Sequence, residues 1–326
     1  MSYSWVPMIG LFNDATDGVI FKGTEMEDTS ASDATESPDG PSKEKKAMVG
    51  QALCSETFAE GTVATDVTFA EGNDHPLAEI VLFYDPSSRS MITAGLGWST
   101  AGGMFAVRQW NGKMWSTIAT SGVPTNLKMG RAYRVRANLR GSFVSLSVDG
   151  VDVLSTNVPA AMSESQIGVF CIGTGDITFA NFTVQKEEPK VFVVMQYTPQ
   201  YDELYTDVIK PVCDELKLKP QRADETHAPG LVIADIIRQI VESKLIVAEI
   251  TPANPNVYYE VGFAHALNKP TILIADKGTR LPFDVSPFRT LFYENSIGGK
   301  KRVEEGLRKY LNSILSFRSV INRNPL

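Results

Sequence analysis

The chain has 326 residues, 43% of them hydrophobic and 21% charged, which is ordinary globular composition and enough for two domains that each bury a core without staples. Its net charge of −7 is uneven: residues 1–188 carry 13 Lys and Arg against 22 Asp and Glu, a balance of −9, and residues 189–326 carry 18 against 16, a balance of +2. Neither part has the basic surface that nucleic acid demands. Cys54, Cys171 and Cys213 lack metal-ligand spacing and read as reduced thiols of a cytoplasmic protein. The N-terminus lacks a signal-peptide pattern, and no run of about 18 apolar residues predicts a membrane span.

In chain order, Asp17 to Lys22 reads as a strand. Residues 25–46 are polar and charged, with almost no large apolar group to offset ordering entropy, and predict a long mobile loop inside the first domain. Residues 49–186 read as all-β. Tyr133, Val135, Ala137 and Leu139 alternate with polar neighbours, as do Val144, Leu146 and Val148, and Gly141-Ser142 and Asp149-Gly150 punctuate them as hairpin turns. Period-two patterning with one polar face predicts an antiparallel sheet with one wet side, and many such strands predict a sandwich over residues 1–186.

The pattern changes after the charged linker Lys186 to Pro189. Lys190–Gln196 reads as a buried strand. A helix follows whose start is Thr198-Pro199 and which Pro211 should kink, unless it sits near the helix end. Strands are read at Leu216–Arg222, Leu245–Ile250, Thr271–Ala275 and Thr290–Tyr293. Helices are read around Val232–Val241, Val257–Asn268 and Lys301–Leu315. Alternating apolar strands and helices predict a flavodoxin-like, doubly wound parallel sheet over residues 190–326, with strand order 2-1-3-4-5. Its crevice is expected beyond the C-terminal ends of the first and third strands, where the winding reverses.

That geometry gathers Gln196 and Tyr197, Asp224, Thr251, Asn254 and Asn256, and a helix that carries Glu260. The helix has almost no polar face, so Glu260 stands out. Asn254 or Asn256 caps it. The helix dipole favours the charged carboxylate and apolar neighbours oppose it. On spacing alone Glu260 is either a structural acid bonded to loop amides or a site residue. His265 is rotated away from it.

Val191–Met195, Ile209–Cys213, Arg222–Glu225, Asn254–Leu267, Lys269-Pro270 and Leu281–Asp284 together resemble the bacterial TIR-like and nucleoside 2-deoxyribosyltransferase-like superfamily. The resemblance covers about residues 190–315, and the block Asn254-Pro-Asn-Val-Tyr-Tyr-Glu260 is its specific part. It implies cleavage of an N-glycosidic bond in a nucleoside, nucleotide or NAD, with NAD as substrate and no cofactor or metal. Glu260 matches the family's glutamate at the anomeric carbon, and the positions of Asp224 and Tyr197 imply a sugar-hydroxyl contact and a base contact. It further implies a homo-oligomer and an effector role in anti-phage defence, regulated by the attached domain. Transferase relatives carry an aspartate where this chain has Glu249, and Pro255-Asn-Val257 replaces their Asp-x-Gly-Thr. Both departures point to hydrolysis or nucleotide sensing over deoxyribosyl transfer.

Trp5, Asp17-Gly18, Trp110–Trp115, Tyr133–Val135, Val148–Val151, Gln166–Phe170 and Phe179–Phe182 resemble a laminin-G or concanavalin-like sandwich, a jelly-roll fold. The resemblance implies a glycan or protein ligand, or an assembly role. Trp98, Trp110 and Trp115 are either stacking faces or packing residues.

Overall fold

The computed structural model describes residues 3–23, 46–98, 102–158, 164–225, 232–251 and 253–316; the loop expected over residues 25–46 lies almost wholly outside them. The first part consists of strands β1 (Trp5–Ile9), β2 (Leu11–Ala15), β3 (Gly18–Lys22), β4 (Met48–Phe58), β5 (Gly61–Phe69), β6 (Leu77–Asp85), β7 (Ser90–Gly97), β8 (Phe105–Trp110), β9 (Trp115–Ser121), β10 (Ala132–Arg140), β11 (Phe143–Val148), β12 (Val151–Asn157), β13 (Ser165–Gly173) and β14 (Ile177–Lys186). They form two seven-stranded antiparallel sheets, ordered β1-β4-β13-β6-β7-β8-β9 and β12-β11-β10-β5-β14-β3-β2. The core between them holds Phe21, Phe58, Phe69, Phe83 and Phe179 among many aliphatic side chains.

The second sheet follows the period-two expectation. Tyr133, Val135, Ala137 and Leu139 are buried while Arg134, Arg136, Asn138 and Arg140 face out. Its β11–β12 turn takes positive φ at both Asp149 and Gly150, as a tight hairpin requires. The first sheet departs from the one-wet-side expectation, because β6 and β7 are buried at every position. Its outer face is also apolar, with Leu53, Leu77, Val81, Tyr84, Met91 and Phe170 roofed by Trp110 and Trp115. The charges on that face are neutralised internally. Arg108 Nε and Nη2 each donate to Glu79 at 2.8 Å, Thr93 adds a hydroxyl at 2.6 Å, and the guanidinium lies 4.5 Å from the Trp115 ring centroid.

The second part is a five-stranded parallel sheet, ordered β16-β15-β17-β18-β19, made of β15 (Lys190–Val194), β16 (Lys219–Arg222), β17 (Leu245–Glu249), β18 (Thr271–Asp276) and β19 (Thr290–Tyr293). Helices α1 (Pro199–Leu204), α2 (Lys210–Glu215) and α5 (Ile297–Ser316) cover one face, and α3 (Val232–Glu242) and α4 (Pro255–Ala266) the other. Pro211 sits near the end of its helix, in the stretch that finishes at Glu215. A π-helical turn at Tyr205–Ile209 absorbs the missing N–H and the ring clash, and the helix runs on through α2. The second strand starts at Lys219, later than expected, because Lys217 takes φ 55° in the turn before it.

The sandwich meets the α/β part at the N-terminal ends of the parallel strands. Gly141 lies against the Ser243 carbonyl. Glu60, at the β4–β5 turn, is buried within the electrostatic reach of Lys190, Lys244 and Lys269, each at or just before the start of a strand. Lys269 donates to the carbonyls of Val241 and Ser243 at 2.5 and 2.7 Å, whereas Lys244 Nζ and Glu60 Oε1 are buried without hydrogen-bond partners among the described residues. Burial pushes the Glu60 carboxyl up to about 7 despite the lysines.

Candidate functional site

At the opposite, C-terminal end of the sheet a crevice of about 650 Å³ opens between β15, β16, α3 and α4. Gln196, Tyr197, Asp224, Asn254, Asn256 and Glu260 all line it. Asn254, with extended backbone, is the N-cap of α4 and its Oδ1 accepts the Asn256 amide at 2.9 Å. Asn256 is therefore the capped residue and not the cap. Glu260 follows one and a half turns on, projecting into the crevice beside Tyr259.

Glu260 has no hydrogen-bond partner among the described residues, and burial alone pushes its carboxyl up to about 7. Desolvation thus prevails over the helix dipole, whose influence fades beyond the first turn. Asp224 is fixed in the opposite way. Arg222 Nε donates to its Oδ1 at 3.0 Å and Nη2 to its Oδ2 at 2.6 Å, a planar fork on a carboxylate. The remaining face of Asp224 is free to accept hydroxyl groups. Tyr197 is half exposed, and its hydroxyl is pushed up to about 12 by burial and by the carboxylates of Glu260 and Asp224.

Arg222 is the organising residue that the sequence reading passed over. It is buried, donates through Nη1 to Asp202 at 2.6 Å, and lies 4.6 Å from the Tyr205 ring and 5.4 Å from the Tyr197 ring. Glu225 accepts both the Arg222 amide and the Tyr205 hydroxyl at 3.1 Å, so it anchors the turn and does not reach the crevice. An arginine closing a buried strand and followed by Asp224 and Glu225 was the available signal. Ile233 and Ile236 of α3 and Tyr259 of α4 add an apolar wall; the first and last are exposed to the crevice, as a flat ring ligand would require.

Thr251 does not join this lining. Its hydroxyl accepts the Asp276 amide at 2.9 Å and meets the Thr279 hydroxyl at 3.2 Å, tying the end of β17 to that of β18. Glu249 also stays outside. It is fully buried, accepts the Thr251 amide at 3.0 Å and the Tyr293 hydroxyl at 3.2 Å, and is pushed up to about 7 chiefly by burial. His265 stacks on Phe288 with ring centroids 4.1 Å apart, away from the crevice. All three cysteines are buried free thiols pushed above their ordinary value by desolvation. Among the described residues no cluster of His, Cys, Asp or Glu is arranged to hold a metal ion, and no helix is long and apolar enough to cross a membrane.

Fold and site define a two-part chain: an antiparallel β-sandwich joined to a parallel α/β sheet with a carboxylate-bearing crevice at its C-terminal edge. No protein-family profile and no curated protein matches the chain. Among solved structures it is similar to the carbohydrate binding module CBM66 from Bacillus subtilis (16% identity, 55% of this chain and 93% of the other, TM-score 0.42). It is similar also to the CMP N-glycosidase BcmB of Clostridium botulinum (18% identity, 37% and 98%, TM-score 0.30) and to a 2-deoxyribosyltransferase of Bacillus psychrosaccharolyticus (14% identity, 35% and 90%, TM-score 0.30).

Proposed function

We propose that the α/β part cleaves the N-glycosidic bond of a nucleoside, a nucleotide or NAD, with Glu260 beside the anomeric carbon. The observation that carries this is an unpartnered carboxylate at about 7 in a crevice whose other acid, Asp224, is locked in place. In this reading Asp224 accepts sugar hydroxyls and Tyr197, Tyr259 and Ile233 border the base. As the C1′–N bond breaks, its electron pair leaves with the base and positive charge grows on the ring. The Glu260 carboxylate offsets that charge where little water competes. Water then supplies hydroxide to C1′, and its proton passes by way of Glu260 to a base that leaves as an anion, or to solvent where the base leaves neutral, as nicotinamide does. A carboxyl titrating near neutrality holds a large ionised fraction while remaining able to take the water's proton.

The test is base release from NAD and a nucleoside and nucleotide panel, followed by chromatography, for wild type and Glu260→Gln at low and high protein concentration. Release by wild type and its loss in Glu260→Gln are expected. Full activity in the variant refutes the role given to Glu260, and saturable binding without release favours a nucleotide sensor.

A separate observation favours a binding role for the sandwich. A hollow of about 570 Å³ on the outer face of its first sheet is lined by Trp110, Trp115, Arg89 and Gln51, whose Nε2 is buried without a partner among the described residues. Binding of a glycan array by wild type and not by Gln51→Leu tests it.

A further inference from the structure

Building on the proposed glycosidic site, we infer that the crevice takes an unphosphorylated nucleoside, and that the neutralised Arg222 is what excludes its 5′-phosphate. Charge is the first ground. Among the described residues the lining holds two carboxylates, Asp224 and Glu260, and no Lys, Arg or His. Beside the crevice stands Arg222, whose fork is occupied by Asp224 and whose remaining terminal nitrogen is held by Asp202. Its charge is therefore balanced before any ligand arrives, and its faces are covered by Tyr197 and Tyr205.

The backbone is the second ground. A helix N-terminus at a crevice ordinarily offers free amides to a phosphate. At α4 that offer is largely withdrawn. Pro255 has no N–H, and the Asn256 amide is taken by the Asn254 side chain at 2.9 Å. The Tyr258 amide makes the first intrahelical bond, to the Asn254 carbonyl at 3.1 Å, as at any helix start. Two of the first three helical positions, 255 and 256, thus offer no amide to an anion.

What remains suits a sugar and a ring. The open side of Asp224 and the amide group of Gln196, whose Oε1 is buried and has no partner among the described residues, match hydroxyl and N–H donors. Tyr197, Tyr259 and Ile233 offer apolar and aromatic surface. A phosphate dianion would enter this space beside two carboxylates with no counter-charge among the described lining residues, and an ionised Glu260 would become harder to keep.

The experiment pairs each nucleoside with its own 5′-monophosphate (cytidine, inosine, thymidine and nicotinamide riboside), using the full chain. Base release and calorimetric binding are both read. The expected result is a preference of about tenfold or more for each nucleoside in kcat/KM. Equal or better cleavage of the monophosphates overturns this inference and leaves the glycosidic reading standing. If no member releases base, that reading fails, and the binding arm decides the inference alone: tighter binding of the nucleosides supports it, while tighter binding of the monophosphates, or no binding of either, overturns it. Asp202→Asn, which uncovers part of the Arg222 charge from outside the crevice, is expected to narrow the preference about threefold. An unchanged preference would remove Arg222 as its source.

Discussion

Replacing Glu260 by glutamine is expected to make the protein more stable at pH 8 and to leave its stability at pH 4, below the unfolded carboxyl's value, nearly unchanged. The carboxyl moves from 4.5 in the unfolded chain to about 7 in the folded one, with burial as the cause and no hydrogen bond among the described residues in return. Between those values the folded state binds more protons than the unfolded, so stability falls as pH rises through this window. The full shift is equivalent to about 3 kcal/mol for a buried group. Glu260 is partly open to the crevice, and solvent screening reduces this to roughly 1–2 kcal/mol. Glutamine keeps the shape and carries no charge to desolvate. Urea unfolding of both proteins from pH 4 to pH 8.5 reads the difference directly, as stability curves that meet near pH 4 and part as pH rises. The opposite outcome, a glutamine variant that is less stable at pH 8, would mean that the charged carboxylate makes stabilising bonds, and Glu260 would then be a structural acid and not a poised one. The experiment separates these without needing the substrate.

Other consequences follow from the same geometry. Arg222→Met removes three charge-assisted hydrogen bonds and leaves Asp202 and Asp224 to rehydrate; a loss of about 2 kcal/mol in chemical unfolding is expected, because both acids are partly exposed. Lys244→Met and Glu60→Gln each disturb the buried cluster between the two parts, and the double variant is expected to be more stable than the sum of the singles by about 1–2 kcal/mol in a double-mutant cycle. Additivity there would show that the two groups do not interact. Gly141→Ala places a side chain at φ 58° against the Ser243 carbonyl; about 1–3 kcal/mol of destabilisation is expected, together with faster proteolysis at the linker.

Much of the α/β part was legible because its strands are short apolar runs bounded by turn residues, and its helices repeat apolar side chains at helical spacing. Leu245–Glu249 and Thr290–Tyr293 needed no tertiary information. The π turn did not show, since it is a response to Pro211 within a helix whose burial forbids breaking it. The apolar outer face of the first sandwich sheet was hidden for a related reason. Glu79, Thr93 and Arg108 read as polar positions in the sequence and are polar chemically, but they satisfy one another and leave a buried surface. At the crevice, residues at strand ends and at the start of α4 were readable from the fold rule alone, since they lie where the winding reverses. Thr251 satisfied the same rule and failed it, because alternation and a nearby free amide on Asp276 turned its hydroxyl to the neighbouring strand. Arg222 escaped because an arginine ending a strand is ordinarily a solvated side chain, and only the meeting of Asp202, Asp224, Tyr197 and Tyr205 around it buries the charge.

The two buried charge clusters lie at opposite ends of the same strands. β15 begins at Lys190, within reach of Glu60, and leads through Val194 to Gln196 and Tyr197 in the crevice. β17 begins just after Lys244 and ends at Glu249, whose amide contact sets the Thr251 turn. Docked at the N-terminal edge, the sandwich is not placed to close over Glu260, so influence of one part on the other must travel along these strands. Five residues of parallel strand span about 17 Å, and a packed sheet deforms little over that distance. A change at the sandwich contact would therefore reach Gln196 and Tyr197 as a shift of β15 against β16, the strand that ends in Arg222. Chemical shifts at Tyr197 and Arg222 should respond to Glu60→Gln, while those of Phe288, beyond α4, should not. Response at neither crevice residue would establish that the two parts act independently.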